Sequence, residues 1–199
     1  MAGKAISIKD CYTKGAIKGK GSYMGGIVGE MSSGSTCENC WSSMSLTGGY
    51  AHGGITGRCS NLGNPNSGGT FNNDMNITVK NCIAWNPSIT TTTAAKETPS
   101  NHYSSGAVVA FTVYKTTLEN CWRRPDMNFD VYQNADYNIL VDMPDSNPTT
   151  PYVKLGSETY YTPYHGKAAS TGETVSDVAK RLNWSSLVWD FSKDEPTLK

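Results

Sequence analysis

Two cysteines separated by two residues can exchange disulfides, supply half of a zinc site, or do no chemistry at all. Cys37 and Cys40, in TCENCWSS (36–43), pose that choice. A redox pair sits where a strand meets a helix, because the helix N-terminus lowers one thiol pKa. No helical periodicity follows Cys40. A zinc site needs four ligands, yet there is no second C-x-x-C, and His52, His102 and His165 stand isolated. Glycine pairs at 25–26, 48–49, 53–54 and 68–69, and the lysine-bearing GAIKGKGS (15–22), lack the helix a phosphate-binding loop requires. Tight turns and close backbone approach account for them better. Hydrolytic or lyase chemistry would need a paired acid and base. Asp126, Asp130, Asp136, Asp142 and Asp145, beside Arg123 and Arg124, are scattered through irregular sequence. Spacing assigns no Ser-His-Asp or Cys-His order to them. No catalytic residue, metal ligand or cofactor is assigned, and a non-catalytic role is favoured over an enzyme.

The aromatic residues suggest another chemistry. Trp122, Tyr132, Tyr137, Tyr160, Tyr161 and Tyr164 lie among Asp and Asn. Stacking area beside fixed polar partners is what a sugar-binding face needs, so these six are the candidate ligand-binding residues. The competing expectation is that the rings simply pack an irregular segment against the rest of the chain.

What must position such groups is legible as a repeat. ISIKDCYTKGAI (6–17), STCENCWSSMSL (35–46), ITVKNCIAWNPSI (77–89) and TTLENCWRRPDM (116–127) align on Cys11, Cys40, Cys82 and Cys121, spaced 29, 42 and 39 residues apart. A second element follows as YMGGIVGEM (23–31), YAHGGITGRC (50–59) and, degraded, SSGAVVAFTV (104–113). The longer spacings come from polar insertions at 61–74 and 86–101. Insertions confined to one place per repeat mark loops on a stacked scaffold. The segments are rich in Ile, Val, Thr and aromatics between Gly, Asn and Ser, and they read as strands. An antiparallel sandwich would also give many short strands, but it has no reason to repeat its sequence.

Within the motif, Ile8, Cys37, Val79 and Leu118 precede the anchor cysteine by three residues. On a straight strand the two positions would face opposite ways. A bend at Asp10, Asn39, Asn81 and Asn120 would turn both inward, and Asn and Asp best tolerate the left-handed conformation it needs. Cys37 then fills an aliphatic slot, and the anchor cysteines form an interior column. Neighbouring parallel strands lie about 4.8 Å apart, further than the ~3.8 Å of bridged Cβ atoms. Free, buried thiols are expected.

GGIVGEMSSGSTCENCWSSMSLTGG (25–49) resembles the GLUG-type repeat of bacterial surface proteins: glycine pair, Ile-Val-Gly, short turn, Asn-Cys-aromatic, glycine. TVSDVAKRLNWSSLVWDFSKDEPTLK (174–199) is similar to the closing segment of such proteins from gut Bacteroidetes. The resemblance covers 6–60 well, 75–127 weakly, and 61–74 and most of 130–170 not at all. It implies a right-handed parallel β-helix of about four rungs on a secreted or surface-anchored protein, often an adhesin. Its partners would be glycans or host surface proteins.

Two regions follow: β-helix repeats over 1–128, and over 129–199 an irregular Tyr-rich segment with a helix and a strand packed on the same domain. The helix is signalled by a capping box at Thr174 and Asp177, with Val175, Val178, Ala179 and Leu182 on one face. It is expected to cap the end of the stack, with LVWDF (187–191) as a last strand. Net charge is zero with 17% charged residues, so nothing marks a nucleic-acid partner. No run approaches the roughly 18 apolar residues of a membrane span. The opening MAGKAISIKD lacks the apolar stretch of a signal peptide, so the natural chain is expected to continue upstream as part of a longer polypeptide.

Overall fold

The computed structural model describes residues 5–60, 76–92, 104–112, 116–143, 145, 152–155 and 158–199. These are mostly strands, with one α-helix, Val175–Arg181. Successive repeats add strands to three sheets. The first sheet joins Ser7–Lys9, Thr36–Glu38, Ile77–Lys80 and Thr116–Glu119 in sequence order, every pair parallel. The second takes Tyr12–Lys18, Trp41–Gly48, then Ile83–Ala84 with Ser88–Thr91, then Trp122–Arg123 with Asn128–Asp130. It ends on Lys167–Ala168, and is again parallel throughout. The third joins Val28–Ser32, Thr56–Ser60 and Val109–Thr112 in parallel. It closes with the antiparallel strands Glu158–Tyr164 and Tyr152–Leu155.

Side-chain alternation sets this register. Ile77 and Val79 are buried while Thr78 and Lys80 are not, so a one-residue slip would expose the whole apolar set. On the outer side of the first sheet, Lys9, Glu38, Lys80 and Glu119 stand opposite one another with alternating charge. Glu38 lies 3.4 Å from Lys80 and 4.0 Å from Lys9. Each exposed pair adds under about 1 kcal/mol, and opposite charges directly across neighbouring strands favour this register.

The expected bend is present in all four repeats. Asp10, Asn39, Asn81 and Asn120 have φ of 52°, 53°, 51° and 50°. Cys37 and Cys40 consequently both point inward and are fully buried. Each anchor thiol donates to the carbonyl two residues earlier: Cys11 to Lys9 and Cys40 to Glu38 at 3.2 Å, Cys82 to Lys80 at 3.2 Å, Cys121 to Glu119 at 3.4 Å. A small side chain with a weak donor fits this inner corner. Because the left-handed conformation costs an ordinary residue about 1–2 kcal/mol, Asn81→Ala is expected to lower stability by about that much. Asn81→Gly should stay within about 1 kcal/mol of the parent. Urea unfolding of the two variants checks the order.

The paired glycines answer to crowding. A Cβ at Gly53 would lie 2.0 Å from the Thr56 carbonyl oxygen, and one at Gly54 2.2 Å from that of Ala107. No side chain can occupy either position without moving backbone.

Three expectations change. The 86–101 insertion starts later than supposed, because Ser88–Thr91 is a strand paired with Trp41–Gly48 and Asn128–Asp130. Pro87 and Pro125 only interrupt what is one continuous strand in the second repeat. Residues 93–101, like 61–74, lie outside the described residues. The helix does not cover the end of the stack. It packs on its flank, with Val175, Val178 and Ala179 against Trp41 and Ile83, and Trp122 alongside. The capping box forms as expected, Thr174 Oγ1 accepting from Asp177 N at 3.2 Å and Asp177 Oδ2 from Thr174 N at 3.0 Å. The predicted last strand is reduced to Trp189–Asp190, paired antiparallel with Thr197–Leu198.

The end of the stack is covered instead by chain following Asp130. Val131 and Tyr132 join the core there, with Tyr137, Leu140 and Met143 packed against it. The backbone N–H groups at the bends donate from each repeat to the next: Asp10 to Glu38 O, Asn39 to Lys80 O, Asn81 to Glu119 O. In the fourth repeat, Asn120 N–H donates to Asp145 Oδ1 at 2.8 Å. One carboxylate thus replaces the missing carbonyl of a fifth repeat.

Candidate functional site

The C-x-x-C pair is part of the scaffold. Cys37 stands in register with Ile8 and Val79, and Val79 with Leu118. All six thiols are free, and all but Cys11 are buried. Cys37 and Cys82 approach to 3.9 Å between sulfurs across neighbouring repeats, well beyond a bond. Burial pushes the Cys82 and Cys59 thiols well above the ordinary range, whereas within the C-x-x-C pair the contact between the two thiols raises Cys37 and lowers Cys40. Both are fully buried, so the lowered thiol lacks the solvent access a reactive cysteine needs. Among the described residues no three His, Cys, Asp or Glu side chains gather as a metal site would require. The scattered acids are spent on structure too. Asp142 pairs with Arg123, Asp126 with Arg124, and Asp145 with Asn120 and Lys167.

Two histidines are interior groups held neutral. Burial lowers His52 to about 4, and burial together with the Arg123 cation lowers His165 to about 3. His165 Nδ1 accepts from Ala107 N at 3.1 Å, a bond that protonation destroys. In the unfolded chain both titrate near 6.5. Their contribution is therefore complete above pH 6.5 and shrinks on acidification toward pH 4 and 3, by up to about 1.4 kcal/mol per pH unit for each. Urea midpoints should fall clearly between pH 7.5 and pH 5, before exposed carboxylates titrate. His102 lies outside the described residues.

The six aromatic candidates do not form one face. Tyr132 is 4% exposed, its hydroxyl accepting from Ser105 N at 2.8 Å, and Tyr164 is 1% exposed. Both fill the interior and present no ring to a ligand, which corrects the expectation for these two. Tyr137 is half-buried, edge-on to Tyr132 at 6.3 Å. Trp122 belongs to the flank, with the Arg181 guanidinium 4.5 Å from its ring centre. Tyr160 and Tyr161 lie on the strand Glu158–Tyr164, and their side chains lie outside the described residues.

The flank carries a concave site instead. The residue after each anchor cysteine points outward: Tyr12, Trp41, Ile83 and Trp122 stand in register, continued by Lys167. Tyr12 and Trp41 stack at 5.3 Å with planes 7° apart. The helix and the tail after it cover this row. Trp189 Nε1 donates to Asp10 Oδ1 at 3.4 Å, and Glu195 pairs with Lys14 at 2.7 Å. The C-terminal segment therefore reaches from the fourth repeat to the first.

Beside that row runs a cleft of about 600 Å³. Lys14 and Trp85 form its sheet side, Glu173 to Val175 one wall, and Lys193 to Glu195 with Thr197 the other. The walls are tied together: Ser176 N donates to Asp194 O at 2.9 Å and Ser176 Oγ to Lys193 O. Lys14 Nζ lies 5.1 Å from the Trp41 ring centre, and Glu173 is held by Arg181 and by Ser170 N. Aromatic area, three carboxylates and two ammonium groups thus converge on one depression. No local signal betrays it, because its walls begin 88 residues after Trp85 and 159 after Lys14 in sequence.

No protein-family model matches the chain, and no curated protein does. Among solved structures, the crystal structure of a "putative immunoglobulin A1 protease" from Bacteroides ovatus is similar, with a TM-score of 0.59 at 20% identity. The match covers 97% of this chain and 48% of that one, so this chain spans about half of that protein's length. At this identity the likeness is one of fold. It falls within the Bacteroidetes, the bacterial group to which the repeat resemblance pointed. Among the described residues no helix is long and apolar enough to cross a membrane.

Proposed function

We propose that the chain is a non-catalytic, adhesin-like module of a secreted or surface-anchored bacterial protein. It binds glycan or host protein from a rigid right-handed parallel β-helix. Residues 1–128 supply the repeats, and 129–199 close and brace them on the same domain. The supporting observation is the mechanical one: four in-register repeats, ended by Asp145 and strapped along one flank by the C-terminal segment. Such a scaffold holds the flank cleft in fixed relation to the repeats, and the 61–74 and 93–101 insertions and the Tyr-rich segment are further candidate contacts. Parallel crossovers are almost always right-handed, which supports the handedness. The fold-level likeness to half of a longer Bacteroides protein supports a place within a longer polypeptide. Binding of the full chain to glycan arrays and to a panel of host matrix and surface proteins tests the reading. At least one reproducible ligand is expected. Silence on every panel would make the module a structural stalk, and turnover of a polysaccharide would make it an enzyme.

A further inference from the structure

We propose that the flank cleft is a saccharide subsite for a neutral pyranose, with Trp85 as its stacking platform; this rests on the binding-module reading and names its site and ligand class. The volume falls within the roughly 300–1,000 Å³ of small-ligand sites. Trp85 is half-buried at the sheet side of the cleft, so its indole is braced while remaining accessible from it. An indole face matches the apolar C–H face of a pyranose, and burying such a ring supplies the main binding term.

The rim decides between neutral and anionic sugars. Glu173 on one wall, Lys193, Asp194 and Glu195 on the other and Lys14 on the sheet side bring three carboxylates and two ammonium groups to the rim. Lys14 is already neutralised by Glu195, which leaves no surplus of positive charge for a uronate or sulfate. Carboxylate oxygens accept hydrogen bonds from adjacent hydroxyls, in geometries a neutral sugar offers and an anionic one spoils. Beyond Lys14, the outward positions of the second sheet are Ala16 and Lys18 in the first repeat and Ser43, Ser45 and Thr47 in the second, with the Thr90 hydroxyl 3.0 Å from that of Thr47. A short oligosaccharide can lie along that row from the cleft.

The test is titration calorimetry and tryptophan fluorescence on the full chain. Neutral gluco-, manno- and galacto-oligosaccharides are the probes, with oligogalacturonate as the anionic comparator. At least one neutral oligosaccharide should bind and quench fluorescence. Trp85→Ala and Asp194→Ala should each weaken it about ten-fold or more. Asp194 is exposed, so its variant keeps the fold even if Trp85→Ala does not; thermal melts of both establish this. Preference for oligogalacturonate, or unchanged affinity in both variants, would overturn the subsite. Saccharide binding on arrays that survives both variants would overturn it while leaving the module reading intact. Failure of every glycan and every protein would overturn both.

Discussion

Trp41→Ala is expected to cost about 3–5 kcal/mol, a large share of the stability of a domain this size. Trp41 is fully buried although it points away from the core. It holds the middle of the outward row, stacked on Tyr12 on one side and in register with Ile83 on the other. The helix residues Val175, Val178 and Ala179 close over it, with Trp184 and Trp189 in the same cluster. Truncation would remove the surface on which the C-terminal segment lies and open a cavity beneath the helix. Trp41→Phe should cost much less, because Trp41 Nε1 has no hydrogen-bond partner among the described residues to lose. Urea unfolding of the two variants gives the comparison. A loss below about 1 kcal/mol for the alanine variant would mean that the flank contact is incidental.

Arg123→Ala should be comparably severe, about 3–5 kcal/mol, because it breaks a buried charged network. Arg123 takes the position of Ala84 in the preceding repeat, and its guanidinium is 5% exposed. Nη1 donates to the Gly166 carbonyl at 2.7 Å and the His165 carbonyl at 3.4 Å, while Nη2 reaches Asp142 Oδ1 at 3.0 Å. Burial lowers its pKa, and Asp142 opposes that. The alanine variant leaves two carbonyls without this donor where the chain turns onto Lys167–Ala168. Asp142 is 63% exposed, but its loss leaves the buried Arg123 guanidinium without a counter-charge and the Ala168 N–H without its acceptor. Asp142→Ala should therefore cost about 1–3 kcal/mol, less than Arg123→Ala. Equal losses for the two would show that the ion pair, rather than the buried carbonyl contacts, holds the closing segment.

How far the sequence could be read depended on whether a signal repeats. The bends at Asp10, Asn39, Asn81 and Asn120, the inward Cys37 and the interior cysteine column follow from four aligned copies of one motif. The Thr174 capping box was legible because it is local. The outward aromatic row repeats as well, but only the structure shows what covers it. Amphipathic helices carry no address, and an apolar stripe fits a flank as well as an end. The closing role of Asp145 and Arg123 was hidden for a related reason. Asp145 stands in for a repeat that is not there, so no alignment could reveal it. Arg123 departs from Ala84 in the aligned motif, but the residues it holds, Asp142, His165 and Gly166, lie outside the repeats. The flank cleft depends on Trp85 meeting residues 173–197, a contact set by the fold alone. Tyr132 and Tyr164 depart from the sugar-face expectation because rings beside Asp and Asn suit a buried cap as well as an open sugar site.

The claim beneath all of this is that residues resembling a chemical motif are the scaffold itself, and counting thiols tests it most directly. Six free thiols should react with a thiol reagent once the protein is unfolded without reductant, and elemental analysis should find no stoichiometric zinc. In the native state only Cys11, the half-buried member, should react readily. A disulfide between Cys37 and Cys40 or Cys82, a bound metal, or a rapidly reacting Cys40 in the folded protein would contradict it.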